Sequence, residues 1–410
     1  MKHLIFATAL LSAPALHAQG GGAPDAAKPA APAAPATPAA AANRIAFTFY
    51  GAEAAKPGNV FFSPYSMYTA FSMAYEGARG QTASEIASVF GYPAKPAELR
   101  AAARSLKRSV AAAAKGAEFT QANSFWVQKG YNFLPDYVKT LKTSYSGESR
   151  TADFRMHTEA ARAEINKWTA VKTNQRIKEL FPADSLTALT RLVLVNAVYF
   201  KGLWQTPFKK DMTFEADFTK TGGEKVKAQM MSAPGTRDAE YAETDEYQAV
   251  RLPYKGGGLS MLALLPREGK TTADLEKGLD AAKLDGIRKS LAKEKVRVFL
   301  PKFSFSSGFK LNDDLAGLGM PTAFTDKADF SGMDGSKGLY IQNAFHKAFV
   351  EVSEEGTEAA AATGVAMGLK SMPMDMLVFR ADRPFLFFIE DHKSGLLLFM
   401  GRLEDPAKAG

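Results

Sequence analysis

Side chains that could catalyse a reaction or hold a metal are sparse in this chain. The sequence contains no cysteine, which excludes disulfides, thiolate nucleophiles and cysteine-based zinc or iron–sulfur sites. Outside the N-terminal segment there are three histidines, His157, His346 and His392, and they are too far apart to match the spacing of metal ligands. No Gly-x-Ser-x-Gly nucleophile elbow is present. We therefore expect neither a cofactor nor enzymatic activity.

One segment departs from the local rules of secondary structure. Residues 354–363 are rich in alanine and favour a helix by propensity, whereas the continuation to Met376 contains Gly, Pro and several Met residues and favours a loop. Together they form about 20 residues with no apolar face. Long loops without their own structure are usually functional. An ordinary surface helix followed by a loop is the alternative.

The N-terminus predicts export. Lys2 and His3 precede an apolar run from Leu4 to Leu16, and Ala18 is a small residue suited to cleavage, so residues 1–18 are interpreted as a signal peptide. Residues 19–42 are almost entirely Gly, Ala and Pro, and we expect a linker there. The folded domain is predicted over residues 43–410. We expect a protein without a membrane span, located in the periplasm or secreted to the extracellular space.

Composition and element patterns indicate a single large α+β domain. The chain has 410 residues, 46% of them hydrophobic and 23% charged, which is a globular composition. Helical signals dominate the first half, with Asn43 as the expected N-cap of the first helix and a Thr82–Glu85 capping box opening another. Strand signals dominate later. Helices are predicted near residues 43–55, 82–90, 96–114 and 159–173, and strands near 192–200, 248–254, 259–265, 296–300, 385–389 and 396–400.

A cluster of basic residues falls at helical spacing within the predicted helix 96–114. The formal net charge is +8, and cations elsewhere are mixed with acids as on a solvated surface. A basic stripe on one helix face could bind a polyanion such as a glycan or nucleic acid, although no aromatic residues for base stacking are interleaved. The cluster comprises Arg100, Arg104, Lys107 and Arg108.

An ordered set of short motifs resembles the serpin family of serine protease inhibitors. They span roughly residues 43–404 in the family's order, so the set is much more specific than any one motif. One departure is Gln175, where many family members have Gly in a turn. The matching segments are 59–66, 77–83, 123–126, 193–196, 200–204, 207–208, 252–254, 300–303, 329–333, 346–347, 354–363 and 379–385.

The resemblance implies a single domain with three β-sheets, surrounding helices and an exposed reactive-centre loop. It further implies a bacterial, exported, inhibitory member that acts as a monomer and forms a covalent complex with a serine protease. In this mechanism the cleaved loop inserts into the main sheet as a new strand. The inhibitor is consumed as a substrate, and the native form is metastable. A non-inhibitory binding protein with the same fold is the alternative.

The inserting part of the loop is its hinge. A strand points alternate side chains to one face, and every second residue from Thr357 to Thr363 is small and uncharged, as insertion requires. Gly356 would allow the chain to pivot. By resemblance, the hinge comprises Glu354, Gly356, Thr357, Glu358, Ala359, Ala360, Ala361, Ala362 and Thr363.

The reactive bond implied by family spacing is Lys370-Ser371. A Lys at this position suits a trypsin-like protease with an acidic specificity pocket. A bond at Leu369, Met372 or Met374 remains the alternative and would favour a chymotrypsin-like or elastase-like enzyme.

Other positions have structural roles by resemblance. Ser63, Ser66, Asn196 and His346 match a polar cluster, the shutter, that holds the centre of the main sheet shut. Trp204 and Glu354 match the breach, the region where insertion begins.

Overall fold

The computed structural model describes residues 37–357 and 376–407, all of which fall in one unit of the chain, residues 34–410. The described residues are helical mainly in the first half and extended mainly in the second. The helices are α1 Pro38–Ala54, α2 Pro64–Gly77, α3 Gly80–Phe90, α4 Pro96–Ala113, α5 Pro135–Thr140, α6 Thr158–Lys172, α7 Thr272–Glu276, α8 Ala281–Ser290, α9 Leu311–Gly317 and α10 Ser331–Asp334, with a π turn at Leu141–Tyr145 and a 3-10 turn at Pro321–Phe324.

The strands form two hydrogen-bonded sheets. The six-stranded sheet has the order β11-β12-β13-β4-β2-β3, and the ten-stranded sheet has the order β1-β16-β15-β9-β8-β7-β10-β6-β5, with β14 paired to β10. The strands are β1 Val60–Phe62, β2 Ala117–Gln128, β3 Glu148–Ala152, β4 Leu192–Leu203, β5 Lys209–Thr219, β6 Lys225–Ser232, β7 Arg237–Glu243, β8 Tyr247–Pro253, β9 Leu259–Pro266, β10 Ala292–Pro301, β11 Phe303–Lys310, β12 Asn343–Val352, β13 Gly356–Thr357, β14 Leu377–Arg380, β15 Phe385–Asp391 and β16 Leu397–Leu403.

Two of the three expected sheets are continuous with each other through one strand. Strand β10 pairs with β7 and β14 along its first part and then, at Leu300 and Pro301, with β6. Because one long strand serves both neighbourhoods, hydrogen bonding joins two of the expected sheets into the ten-stranded one. The α+β class is confirmed.

Two cores explain the strongest strand signal in the sequence. One core lies between the two sheets, where Phe200 of β4 contacts Phe399 of β16 with ring centroids 5.8 Å apart. A second core covers the opposite face of the six-stranded sheet, where Trp126 of β2 meets Trp168 of α6. Strand β4 is therefore buried on both faces, which is why residues 192–200 form a continuous apolar run.

Helix α1 begins earlier than predicted. Its N-cap is Thr37, whose hydroxyl accepts a hydrogen bond from the Ala40 amide, and Pro38 occupies the first turn. Residues 38–42, predicted as the end of the linker, therefore belong to helix α1. Asn43 lies inside the helix, and its side chain instead bonds Gly395 O and Leu397 N in the turn between β15 and β16. This long-range contact is invisible to a local capping pattern.

The predicted capping box of α3 is also wrong. The helix begins at Gly80, after Arg79, and no side chain caps its start. The Thr82 hydroxyl accepts from the Asp329 amide, and Glu85 accepts from Thr322. The side chains of Thr82 and Glu85 thus bond residues distant in the sequence instead of capping the helix.

Candidate functional site

The central seam of the six-stranded sheet differs between its two ends. Over residues 343–349, β12 pairs directly with β4 in parallel. Farther along, the short strand β13 lies between them, with Thr357 paired to Val352 on one side and to Gly202 on the other. The seam is thus closed along one part and holds a reversed segment of chain in the gap beyond it.

A tight turn reverses the chain into this gap. The Ser353 amide donates to Gly356 O at 2.7 Å, and the Gly356 amide donates back to Ser353 O at 3.2 Å. Gly356 has a φ of 153°, and a Cβ there would lie 2.0 Å from Gly202 O. Any side chain at this position would collide with the backbone of β4, so the turn requires glycine.

Thr357 points into the core beneath the seam. It is 1% exposed, and its hydroxyl lies 2.7 Å from the hydroxyl of Tyr254. The Tyr254 ring stacks on Trp204 at 4.7 Å between centroids, and Trp204 Nε1 donates to Ser353 O at 2.9 Å. The two aromatic side chains therefore hold both ends of the reversing turn.

Glu354 anchors the turn to neighbouring strands. Its carbonyl accepts from the Phe208 amide at 2.9 Å, and its carboxylate accepts from Thr213 at 2.8 Å and pairs with Lys302 at 3.0 Å. Burial raises the pKa of this carboxyl, but the hydrogen bond from Thr213 and the cation of Lys302 outweigh burial and hold the pKa below its usual value. Glu354 therefore stays ionised and fixed at neutral pH.

A buried polar row crosses the sheet where the seam is closed. Asn123 of β2, Asn196 of β4 and His346 of β12 are cross-strand neighbours. The Asn196 amide donates to Asn123 and to Ser66 Oγ, the latter at 2.6 Å. The Ser63 hydroxyl, which caps α2, donates to Leu398 O. This network ties three strands to the start of α2.

Burial keeps His346 neutral, and its partners fix which ring nitrogen carries the proton. The Ser63 amide donates to His346 Nε2 at 3.0 Å, so the proton resides on Nδ1 and is donated to Asn196 Oδ1. Burial lowers the pKa of this imidazole to about 3. Protonation would place an N–H on Nε2 directly against the Ser63 N–H and would break the link between β12 and α2.

The family model of the serpins, serine protease inhibitors, matches residues 40–406. This chain is a member of the serpin family. It is 41% identical over 371 residues to an uncharacterized serpin-like protein of Thermococcus kodakarensis, a match that covers 89% of this chain and 85% of the relative. It is 38% identical over 357 residues to the human leukocyte elastase inhibitor, covering 85% and 93%.

Solved serpin structures share the fold. The thyroxine-binding globulin complex with thyroxine aligns with a TM-score of 0.82 at 27% identity, covering 90% of this chain and 99% of that one. Serpins are a family of protease inhibitors rather than enzymes. Within residues 37–357 and 376–407, no three His, Asp or Glu side chains gather as metal ligands would. No helix in the same ranges combines the length and apolar character needed to cross a membrane.

The serpin's predicted site residues fall into three groups. Ser63, Ser66, Asn196 and His346 meet in the polar row, and Trp204 and Glu354 meet at the reversing turn with Gly356 and Thr357. The remaining predicted hinge residues, Glu358, Ala359, Ala360, Ala361, Ala362 and Thr363, and the bond Lys370-Ser371 lie outside the described residues.

Sequence reasoning missed four contributors to this serpin's site. Asn123, Tyr254 and Lys302 stand within motifs that carried the resemblance, but their spacing gives no sign of a role. Ser353 carries no sequence signal of its own, because its importance arises only where separate segments meet. The four residues contact Asn196, Thr357, Trp204 and Glu354 respectively.

The basic stripe on α4 is only partly free. The Arg100 guanidinium makes a bidentate pair with buried Glu76, at 2.8 and 2.6 Å, and is thereby used within the fold. Arg104 and Lys107 donate to the hydroxyls of Ser144 and Ser146. Because Glu76 near the end of α2 neutralises Arg100, the four cations do not form one uniform basic surface.

Proposed function

We propose that this serpin is a suicide-substrate inhibitor of serine endopeptidases and traps the acyl-enzyme by inserting its cleaved loop between β4 and β12. The observation that carries the proposal is β13. Thr357 already pairs with both flanking strands, Gly356 pairs with β4, and the chain runs antiparallel to β4 there. Further insertion would continue the same pairing along the seam and would require β4 and β12 to separate where they now pair directly.

The residues after Thr357 suit that continuation. If the alternation of β13 persists, residues 359, 361 and 363 face the core and are Ala, Ala and Thr. No proline occurs between Gly356 and Met372, so each amide there can join the ladder. About ten new hydrogen bonds at about 1 kcal/mol each would make insertion strongly favourable once the loop is cut.

The chemical step proceeds as in ordinary acyl transfer. The protease serine attacks the carbonyl of Lys370, the bond to Ser371 breaks, and the amine leaves while an ester links inhibitor and enzyme. About 15 residues at about 3.3 Å each would carry the protease roughly 50 Å along the sheet. The resulting strain would displace the protease's oxyanion hole, and ester hydrolysis would stall. Lys370 makes a trypsin-like enzyme the proposed target.

The test compares two adjacent substitutions during incubation with trypsin. Wild type should form a complex that survives SDS, with cleavage after Lys370. Ala361→Arg places a charge on the face to be buried and should be cleaved without a complex, whereas Ala360→Arg places it on the opposite face and should retain the complex. Equal complex formation by the two variants would refute insertion in this register.

A non-inhibitory binding protein is the competing function, because thyroxine-binding globulin shares the fold. That function predicts that wild type is nicked by trypsin and forms no SDS-stable complex. The small residues at alternate hinge positions favour inhibition, because a protein that never inserts its loop has no need of them.

We also propose that residues 1–18 direct export and that the mature, bacterial protein is monomeric in the periplasm or the extracellular space. The basic head, apolar run and Ala18 support export. N-terminal sequencing of protein recovered from cell fractions tests it. Mature protein beginning at Gln19 outside the cytoplasm is the expected result, and intact Met1 in the cytoplasm would refute export.

A further inference from the structure

One side chain crosses the β4–β12 seam at the end farthest from the hinge. Gln342, immediately before β12, accepts a hydrogen bond from the Arg191 amide through Oε1 and donates from Nε2 to Leu189 O at 2.8 Å. Its backbone amide donates to Leu192 O at 3.3 Å. One residue on the β12 side is thus bonded to three residues at and before the start of β4. We call these contacts the clasp.

The segments on both sides of the clasp are held firmly. In the turn before β4, the Thr190 amide donates to Thr187 O at 2.9 Å, and the Thr187 amide donates back to Thr190 Oγ1 at 3.0 Å. On the β12 side, Asn312 donates to Gln342 O and accepts from the Ala344 amide, both at 3.0 Å. Because both backbones are fixed, the clasp opens by breaking the side-chain hydrogen bonds of Gln342.

The register of β13 sets where the cleaved end of an inserted strand would come to rest. Thr357 lies opposite Gly202 of β4 in antiparallel pairing. Each further residue of the strand moves one residue toward the start of β4, so Lys370 would lie opposite Leu189. Strand β4 begins at Leu192. The inserted strand would therefore end three residues beyond β4.

The register with β12 gives the same result. Thr357 lies opposite Val352, again in antiparallel pairing, so residue 367 would lie opposite Gln342. The bait residue would lie three positions farther along. Residues 367–370 of the inserted strand and the clasp therefore require the same space.

We propose that Gln342 is a positioning residue for the inhibitory reaction, because its clasp must open before the acylated bait residue can reach its final place between the strands. This inference rests on the inhibitory function proposed above. Hydrolysis of the ester competes with insertion as long as insertion is incomplete. A slow last stage favours release of cleaved inhibitor, and a fast one favours the trapped complex. Gln342 thereby affects the partition between the two outcomes.

A fluorophore beside the clasp reports the arrival of the strand. The chain has no cysteine, so Leu189→Cys, at a side chain that is 72% exposed, can be labelled at one place with an environment-sensitive dye. On stopped-flow mixing with excess trypsin, the emission should change as the SDS-stable complex forms. Unchanged emission during complex formation would overturn the inference and leave the proposed function intact. Absence of any SDS-stable complex would overturn the proposed function and the inference with it.

Variants of the labelled protein test the clasp itself. Gln342→Met removes both side-chain hydrogen bonds across the seam and should raise the first-order rate of the emission change roughly tenfold. The second-order rate of attack on the loop should not change, because the loop is the same. Gln342→Glu keeps the acceptor for the Arg191 amide but loses the donor to Leu189 O, so its rate should be intermediate. It also serves as a second variant should Gln342→Met fold poorly.

Gln128→Met is the matched control. Gln128 is a buried amide at the end of β2 that donates to Lys129 O, and β2 and β4 stay paired during insertion. This variant should leave the rate of the emission change within twofold. An unchanged rate in Gln342→Met, or an equal increase in Gln128→Met, would show that the clasp does not limit insertion and would overturn the inference.

Discussion

The two ends of the β4–β12 seam are built in opposite ways. At one end the strands pair directly, and a buried polar row of Asn123, Asn196 and His346 crosses them. At the other end the strands are separated by Gly356 and Thr357, which are held by aromatic and charged neighbours. Each end of the seam is held by backbone pairing, but with a different partner strand.

This difference indicates how the sheet can open. The hinge end already accommodates a third strand, so extending the insertion is the propagation of an existing ladder. The polar row at the closed end must exchange its cross-strand hydrogen bonds before the inserting strand can pass. If the loop inserts as proposed, opening should begin at the hinge and be resisted at the row, which would keep the native form persistent although the inserted form is more stable.

Cleaving the loop should produce the largest change in stability and so tests the comparison most strongly. Cleavage by a metalloprotease, which forms no acyl-enzyme, should let the strand insert and raise the melting temperature by roughly 20 °C, since about ten hydrogen bonds at about 1 kcal/mol are gained. Differential scanning calorimetry before and after the cut measures it. Ala361→Arg should show a far smaller rise than Ala360→Arg. Identical melting temperatures for cut and intact wild type would end the argument for metastability.

The next largest effect is expected from replacing Gly356, at the hinge end of the seam. Gly356→Ala places a methyl group 2.0 Å from Gly202 O and should expel the turn from the gap, costing about 2–3 kcal/mol. Gly308→Ala, on β11 of the same sheet, is the control, because its nearest contact would be an ordinary 3.6 Å. Urea unfolding followed by tryptophan fluorescence compares them. Equal midpoints for the two variants would contradict the required close approach.

Lowering the pH should destabilise the protein through His346, which lies at the closed end of the seam. The pKa of His346 is lowered from 6.5 to about 3 by burial, so the unfolded state binds an extra proton between these values and stability is lost as pH falls through that window. The slope is about 1.4 kcal/mol per pH unit, or about 2 kcal/mol between pH 6.5 and pH 5.

Replacing the imidazole with an amide should remove this dependence. His346→Gln keeps a donor and an acceptor in similar positions, so its unfolding free energy should change less with pH than that of wild type over the same range. His392→Gln, at an exposed position, controls for the loss of one histidine. A wild-type slope retained in His346→Gln would assign the acid sensitivity to other groups.

The smallest effect concerns the ion pairs of the turn. Lys302→Met removes the cation beside buried Glu354 and should cost about 1 kcal/mol, less at high salt. Lys210→Met removes the partner of Glu355, which is 45% exposed, and should cost a few tenths of a kcal/mol. Chemical denaturation at low and high salt distinguishes them. If the exposed pair proves the stronger, burial is not what gives the Glu354 pair its value.

The sequence was informative where a signal is local or where many signals occur in order. The apolar run 192–200, the hairpins and the helix beginning at Pro96 lie close to their predicted bounds, because strand burial and proline at a helix start act over a few residues. Caps were less predictable. Asn43 and Thr82 have capping side chains, but partners distant in sequence use them.

Gln175 is a further position at which the sequence alone did not determine the local structure. The resemblance marked it as a departure from glycine, and its φ of 63° places it in the left-handed region that glycine favours. The sequence identified the unusual position, and the fold determined that a non-glycine residue accepts the strain there.

The sequence by itself determined the α+β class, the serpin membership and the small alternating side chains of the hinge, because these depend on composition, order and periodicity. Only the tertiary structure decided that Thr357 lies between two strands, that Tyr254 and Trp204 hold it, and that His346 bridges Ser63 and Asn196. The physical reason is distance along the chain. These contacts join residues separated by 100 or more positions, and a hydrogen bond between distant segments leaves no periodic trace in either one.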